Sequence, residues 1–179
     1  MRLSDTPLID EEAIRQRVAE LAGTISRDYA GKNLVMVVIL KGAILFASDL
    51  AREMSVPVHF EFIRARSYQG VASSGTVDIT VAPEISLRDR HVLIVEDILD
   101  TGRTTGVIIE RLLRDEPASI ATCALLNKPS RRERTVPEDY VGFTVEDHFV
   151  VGYGMDYDEK YRDLPAIHVM EAAAPTRPG

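Results

Sequence analysis

The stretch from Val92 to Arg114 constrains the fold more than any other. Four apolar residues, Val92 to Val95, make a run of strand length. Glu96 and Asp97 follow at its end, then Asp100, then a Thr/Gly-rich turn from Thr101 to Thr105. Residues 104–114 continue as an apolar run at helical spacing. A strand that feeds a glycine turn and a helix is half of a β–α–β unit, which demands a parallel sheet. In open α/β sheets, ligands bind beyond the carboxyl ends of the strands. Three carboxylates and a glycine turn therefore stand where a ligand would. The turn can aim backbone N–H groups at a phosphate, aided by the positive end of the next helix. Glu96 and Asp97 suit sugar hydroxyls, and Asp100 suits a proton. The plainer reading is an acidic strand-to-helix loop with Asp100 as the N-cap. No Gly-Lys-Ser/Thr closes the turn as in a P-loop, and the Gly-x-Gly-x-x-Gly of dinucleotide folds is missing.

The rest of the chain repeats that alternation. Asp10 is a plausible N-cap, with Glu11 and Glu12 behind it. Ile14, Val18, Leu21, Ile25 and Tyr29 then recur at helical spacing up to Gly31. Residues 34–40 form a continuous apolar run of strand length, broken by Lys41-Gly42. A helix is expected over 43–54, a strand over 58–63, and a returning strand over 77–81. The polar loop between them, about 66–76, is expected to be mobile. Another buried strand is expected over 120–126. Alternating strands and helices imply a mostly parallel sheet flanked by helices. Beyond residue 127 the pattern changes to short strands, turns and aromatics, which suits a small hood over the strand ends. The tail, 172–179, has two prolines and no bulky apolar residue, and reads as disordered.

Composition narrows the class. A chain of 179 residues, 45% hydrophobic and 27% charged, can bury one sizeable core. A net charge of −7 argues against nucleic acid as the main partner. The one cysteine, Cys123, lies in an apolar run and reads as a buried thiol. No signal peptide and no apolar run approaching about 20 residues is visible, so no membrane is expected and the cytoplasm is the expected location.

Several further motifs fall at strand ends. Lys41, before Gly42, faces the same crevice as the acids and suits a pyrophosphate; viewed alone it reads as a solvated lysine. Arg66-Ser67-Tyr68 opens the long loop, of a length that often serves as an active-site lid, or else as a floppy hairpin tip. Lys128, after Asn127, can donate to a carbonyl oxygen. In Asp147 to Asp156, Phe149 can stack on a heterocycle and Asp156 can meet a metal; core aromatics of a hairpin are the plainer alternative. Arg162 can reach a phosphate or bridge an acid.

Taken in order, these segments resemble the bacterial-type hypoxanthine–guanine phosphoribosyltransferases, members of the type I phosphoribosyltransferase family, over roughly residues 8–170. The matching pieces are Leu40-Lys41-Gly42, Arg66-Ser67-Tyr68, Val95 through Gly102, Lys128, Val141-Gly142-Phe143, Phe149 through Tyr153, Asp156-Tyr157 and Tyr161-Arg162-Asp163-Leu164. Arg103 stands where some relatives have lysine, and Met155 where leucine or isoleucine is usual.

The resemblance implies a type I phosphoribosyltransferase fold in one domain over 1–171, with the hood drawn from the N-terminal segment and roughly 128–170. It implies a purine-salvage enzyme, a hypoxanthine phosphoribosyltransferase by activity. The 5-phosphoribosyl group of phosphoribosyl pyrophosphate (PRPP) passes to N9 of hypoxanthine or guanine, giving IMP or GMP and pyrophosphate. By resemblance, Glu96 and Asp97 hold the ribose hydroxyls, partly through Mg²⁺, and Asp100 takes the N7 proton. Thr101, Gly102, Arg103, Thr104 and Thr105 cradle the 5′-phosphate. Lys41, Gly42 and Arg162 meet pyrophosphate, Asp156 binds Mg²⁺, and Ser67 and Tyr68 belong to the closing loop. Lys128 donates to the purine 6-oxo group. Phe149 stacks on the base, with Ile98 and Met155 on its other side, and the Val150 backbone reads the base edge. Relatives form homodimers and homotetramers, and a non-proline cis peptide between Leu40 and Lys41 is also implied.

Two other functions compete on the residues. A lysine aimed at a 6-oxo group disfavours adenine, whose 6-amino group is itself a donor; xanthine stays open. A PRPP-binding regulator needs an added DNA-binding domain or a basic RNA-binding face. Only about nine residues precede the first helix, and the charge is −7.

Overall fold

The computed structural model describes the backbone of residues 1–67 and 77–172, and the side chains of all of these except 66, 67 and 77. The expected loop, with Tyr68, and almost all of the tail lie outside the described residues, as does the Ser67 side chain.

The elements run β1 (Arg2–Leu3), α1 (Glu11–Asp28), β2 (Leu34–Ile39), α2 (Ile44–Glu53), β3 (His59–Ser67), β4 (Val77–Val81), β5 (His91–Leu99), α3 (Arg103–Leu113), β6 (Ser119–Asn127), β7 (Tyr140–Thr144), β8 (Val150–Val151) and β9 (His168–Glu171). The Asp10 carboxylate caps α1 by accepting from the Ala13 amide at 2.8 Å. Tyr29 lies one residue past that helix, at its C-cap, and is still buried.

Six strands form the main sheet in the order β4-β3-β2-β5-β6-β7. Only the β3–β4 pair is antiparallel. All six residues of β2 are buried, because helices cover both faces of the sheet. Leu34, Met36 and Val38 pack with α1 and α2, among them Phe46 and Leu50, whereas Val35, Val37 and Ile39 pack with Ile108 and Leu112 of α3. The same period of two runs through β5: Leu93 and Val95 join the first core, Val92 and Ile94 the second. Emptying such a site, as in Phe46→Ala, costs about 3–5 kcal/mol.

From β2 the chain crosses through α2 to β3 on one side. From β5 it crosses through α3 to β6 on the other. The adjacent ends of β2 and β5 are thus a topological switch point, where a crevice opens. A small sheet, β1-β9-β8, leads from β8 to Gly154, which packs against the Gly42 carbonyl at that end. Within the segment expected to supply the hood, β7 joins the main sheet instead, because its backbone pairs in parallel with β6 from Cys123 to Asn127.

Candidate active site

Glu96 and Asp97 are consecutive on a strand, so their side chains leave opposite faces of the sheet. Glu96 turns to the α3 side, where its Oε2 accepts from the Thr105 hydroxyl at 2.6 Å. Burial pushes the Glu96 carboxyl up to about 8, opposed by the Thr105 bond and reinforced by Asp97. Asp97 turns to the α2 side and lies against Gly42. A Cβ on Gly42 would stand 1.9 Å from Asp97 Oδ2, so glycine alone fits with that carboxylate where it stands. Burial raises Asp97 to about 6; its own amide, that of Ile98, and Arg162 act against the rise, and Asp156 adds to it. Both acids are half-buried at the crevice, where solvent moderates the burial effect.

The Leu40–Lys41 peptide beside them is cis. Lys41 Nζ contacts Glu159 Oε2 at 3.0 Å, and Arg162 reaches the same carboxylate at 3.5 Å. Arg162 also pairs with Asp156 at 2.7 Å and donates to the Gly154 carbonyl at 2.6 Å. Its Nε is buried with no partner among the described residues, a donor left over for an anion. Glu159 thus holds both cations expected to meet pyrophosphate, and Lys41 holds its carboxyl below the ordinary range.

The turn after β5 is strapped from outside. The Thr101 carbonyl accepts the amides of Glu133 and Arg134, each at 3.0 Å. Gly102 has φ 78° and is the N-cap of α3, so Asp100 is not the cap. Arg103 directs its guanidinium to Glu133, and its amide points to the Thr101 hydroxyl at 3.3 Å. Thr105 is buried and held by Glu96. Of the five residues expected around a 5′-phosphate, the Arg103 side chain is therefore committed elsewhere.

Lys128 follows β6, fixed by its amide to the Leu99 carbonyl at 3.0 Å. Its buried Nζ donates to the His148 carbonyl at 2.5 Å. Phe149, half-exposed, meets Tyr157 edge to face with centroids 5.7 Å apart. Val150 and Met155 are buried in the core that Ile98 packs against. Asp100 Oδ1 accepts from Arg131 Nε at 3.1 Å, and Arg132 reaches the Asp100 carbonyl. Arg131, Arg132 and Glu159 were not among the expected site residues. The run Arg131-Arg132-Glu133-Arg134 just after Lys128 was the available signal.

Among the described residues, no group of three or more His, Cys, Asp or Glu side chains forms a metal cage. Mg²⁺ takes one or two protein carboxylates plus substrate oxygens. Asp97 and Asp156 match that donor set. They are near enough for Asp156 to raise Asp97, a repulsion that a divalent cation would relieve.

The model of the phosphoribosyl transferase domain matches residues 7–158. The hypoxanthine phosphoribosyltransferase of Salmonella typhimurium is 44% identical over 164 residues, spanning 89% of this chain and 92% of that one. The hypoxanthine-guanine phosphoribosyltransferase of Mycobacterium tuberculosis (strain CDC 1551) is 43% identical over 171 residues, spanning 92% and 85%. Among solved structures, the hypoxanthine phosphoribosyltransferase of Staphylococcus aureus superposes with a TM-score of 0.89 at 40% identity, covering 93% of this chain and 91% of that one. The hypoxanthine-guanine enzyme of Bacillus anthracis superposes with a TM-score of 0.90 at 37% identity, covering 95% and 100%.

Proposed function

We infer the chemistry from the premise that this chain belongs to the phosphoribosyl transferase family, among its hypoxanthine and hypoxanthine-guanine members. It is a purine-salvage enzyme that transfers the 5-phosphoribosyl group of PRPP to hypoxanthine or guanine. IMP or GMP and pyrophosphate are the products. The observation that supports the residue roles best is the meeting of Gly42 and Asp97 across the switch point, with Lys41, Glu96, Asp100 and Lys128 around it.

In the proposed reaction, N9 of the purine bonds to C1′ while the C1′–oxygen bond to pyrophosphate breaks. The electron pair leaves with pyrophosphate, and the N7 proton passes to Asp100. Glu96 and Asp97 hold the ribose hydroxyls and stabilise positive charge growing on the ring. Amides and hydroxyls of residues 101–105 cradle the 5′-phosphate, helped by the N-terminus of α3. For Arg103 this is its backbone contribution, since its side chain pairs with Glu133. Lys41, Gly42 and Arg162 receive pyrophosphate after Glu159 yields the two cations. Ser67 and Tyr68 act in the closing loop. Asp156 and Asp97 would hold Mg²⁺, with Glu96 reaching it through the ribose hydroxyls, and the ion would supply charge neutralisation for the leaving pyrophosphate.

On the base side, Lys128 donates to the 6-oxo group and shares the His148 carbonyl. Phe149 stacks on the ring, Ile98 and Met155 close its other side, and the Val150 backbone reads the edge. The substrate is a polyanion that does not cross a bilayer unaided, so the cytoplasm is the proposed place of work. Among the described residues, no helix is long and apolar enough to cross a membrane.

The chain is also proposed to act as a homodimer or homotetramer. Ile44, Phe60 and Phe62 stand exposed around an apolar hollow of about 470 Å³ between α2 and β3. A patch of this kind fits a partner surface, and α2 begins three residues after Lys41, so a second copy seated there would also steady the pyrophosphate loop. In a Trypanosoma cruzi relative, at TM-score 0.88 and 37% identity, the C-terminal region has a role in the oligomeric state and enzymatic activity. The activity test is a direct assay with PRPP, Mg²⁺ and a panel of nucleobases. Product with hypoxanthine or guanine and none with adenine is expected; turnover of adenine alone would overturn the reading.

A further inference from the structure

Arg131 makes a contact that the reaction described above does not use. A single 3₁₀ turn, Pro129–Arg131, follows Lys128 and closes through the Arg131 amide on the Lys128 carbonyl at 3.1 Å. The guanidinium then bridges two carboxylates. Nε donates to Asp100 Oδ1 at 3.1 Å, and Nη1 donates to Asp147 Oδ2 at 3.3 Å. The two anions come from different segments of the chain. Asp100 follows β5, and Asp147 lies between β7 and β8, two residues before Phe149. The cation therefore covers a carboxylate oxygen suited to receive the purine N7 proton.

The side chains of Arg131, Asp100 and Asp147 are 45%, 38% and 51% exposed. Solvent at that level makes the contacts exchangeable, each worth no more than about fivefold in an equilibrium. A guanidinium that stayed on Asp100 would oppose the arriving proton by charge and by position. Asp147 gives it somewhere to go.

We propose that Arg131 is a positioning residue that passes from Asp100 to Asp147 as the purine enters. The proposal rests on the reading of Asp100 as the proton acceptor. In the empty site Arg131 aims the Asp100 carboxylate across the crevice. With the purine seated, both ends of the guanidinium turn to Asp147, and Asp100 Oδ1 is free for N7–H. Asp147 also stands 3.9 Å from Lys128 Nζ, so an effect through the base-reading lysine has to be separated.

A double-mutant cycle on the full chain makes that separation. Steady-state kinetics with PRPP and hypoxanthine are measured for Asp147→Asn, Arg131→Gln and the pair. Asp147→Asn should lower kcat about fivefold, with KM for PRPP within about twofold, because the cation is left on the base. In the Arg131→Gln background the same substitution should change kcat less than about twofold, since no cation remains to be moved. In Arg131→Lys, which keeps the charge, the Asp147→Asn loss should persist. An unchanged kcat in Asp147→Asn alone overturns the proposal. So does a full loss in the Arg131→Gln background, which would assign Asp147 to Lys128. Asp100→Asn is run beside them: its full turnover would sink the proton-acceptor reading itself, whatever the cycle gives.

Discussion

The Thr105 hydroxyl ties the first turn of α3 to Glu96 in the C-terminal half of β5, on the face of the sheet opposite Asp97. One bond thereby holds a carboxyl that burial would keep protonated near neutral pH. Glu96 rises from an ordinary value of 4.5 to about 8 in the folded chain. Between those values the folded chain keeps a proton that the unfolded chain has lost. The contribution of Glu96 to stability is thus full below about pH 4.5 and is lost as pH rises to 8. Asp97 acts in the same direction between 3.8 and 6. Urea midpoints should fall from pH 5 to pH 8.5, and Glu96→Gln should flatten that slope. An equally steep slope in the variant would show that Glu96 is already ionised when folded.

Gly42→Ala should leave the fold intact and damage use of PRPP. The new methyl can be housed only by moving the Asp97 carboxylate, whose Oδ2 lies 1.9 Å from the Cβ position. A misplacement of that order at a reacting centre costs up to about 10²-fold. The loss should appear in kcat/KM for PRPP, with thermal stability close to that of the parent. A collapse of stability would mark Gly42 as structural instead.

Asp100→Asn should bind PRPP and lose about 10²- to 10⁴-fold in turnover, the ordinary weight of a general base. Equilibrium binding of PRPP with Mg²⁺ and single-turnover rates separate the two effects. Near-parental turnover would exclude the assignment.

Lys128→Ala should raise KM for hypoxanthine and guanine about tenfold or more, because the proposed charged donor to the 6-oxo group is removed. KM for PRPP should move far less. Collapse of PRPP binding with unchanged base affinity would make Lys128 a phosphate ligand.

Phe62→Glu places a charge in the apolar hollow between α2 and β3. Sedimentation should show a shift toward monomer relative to the parent chain. An unchanged assembly would move the contact to another face.

Much of the fold is legible in the order of apolar runs, because the strands buried on both faces leave nothing else to read. The limits show at β5. The apolar run ends at Val95, yet the strand continues to Leu99, since Glu96, Ile98 and Leu99 pair with Ala124, Leu126 and Asn127 through their backbones. Side-chain patterning is blind to that pairing. Strands of two to four residues, such as β1, β8 and β9, are too short for any period to register.

In the site, the acids and Lys128 stand out because they break apolar runs. Arg131, Arg132 and Glu159 do not, since charged residues in a surface loop look alike until the fold is known. Arg132 reaches Asn127 at 2.5 Å and Glu138 at 3.0 Å, which no local pattern announces.

The small sheet sets an order of assembly on the ribosome. Residues 34–127 hold β2, β5 and β6, and with them the acids and the lysine at the switch point. Among the described residues, the strand that carries Val150 pairs only with β9, whose last residue is Glu171, and β1 waits for the same partner. A growing chain can therefore build the main-sheet side of the crevice while the small sheet beside it is still unmade. Phe149 and Val150 are fixed in place only once the chain has been made as far as Glu171.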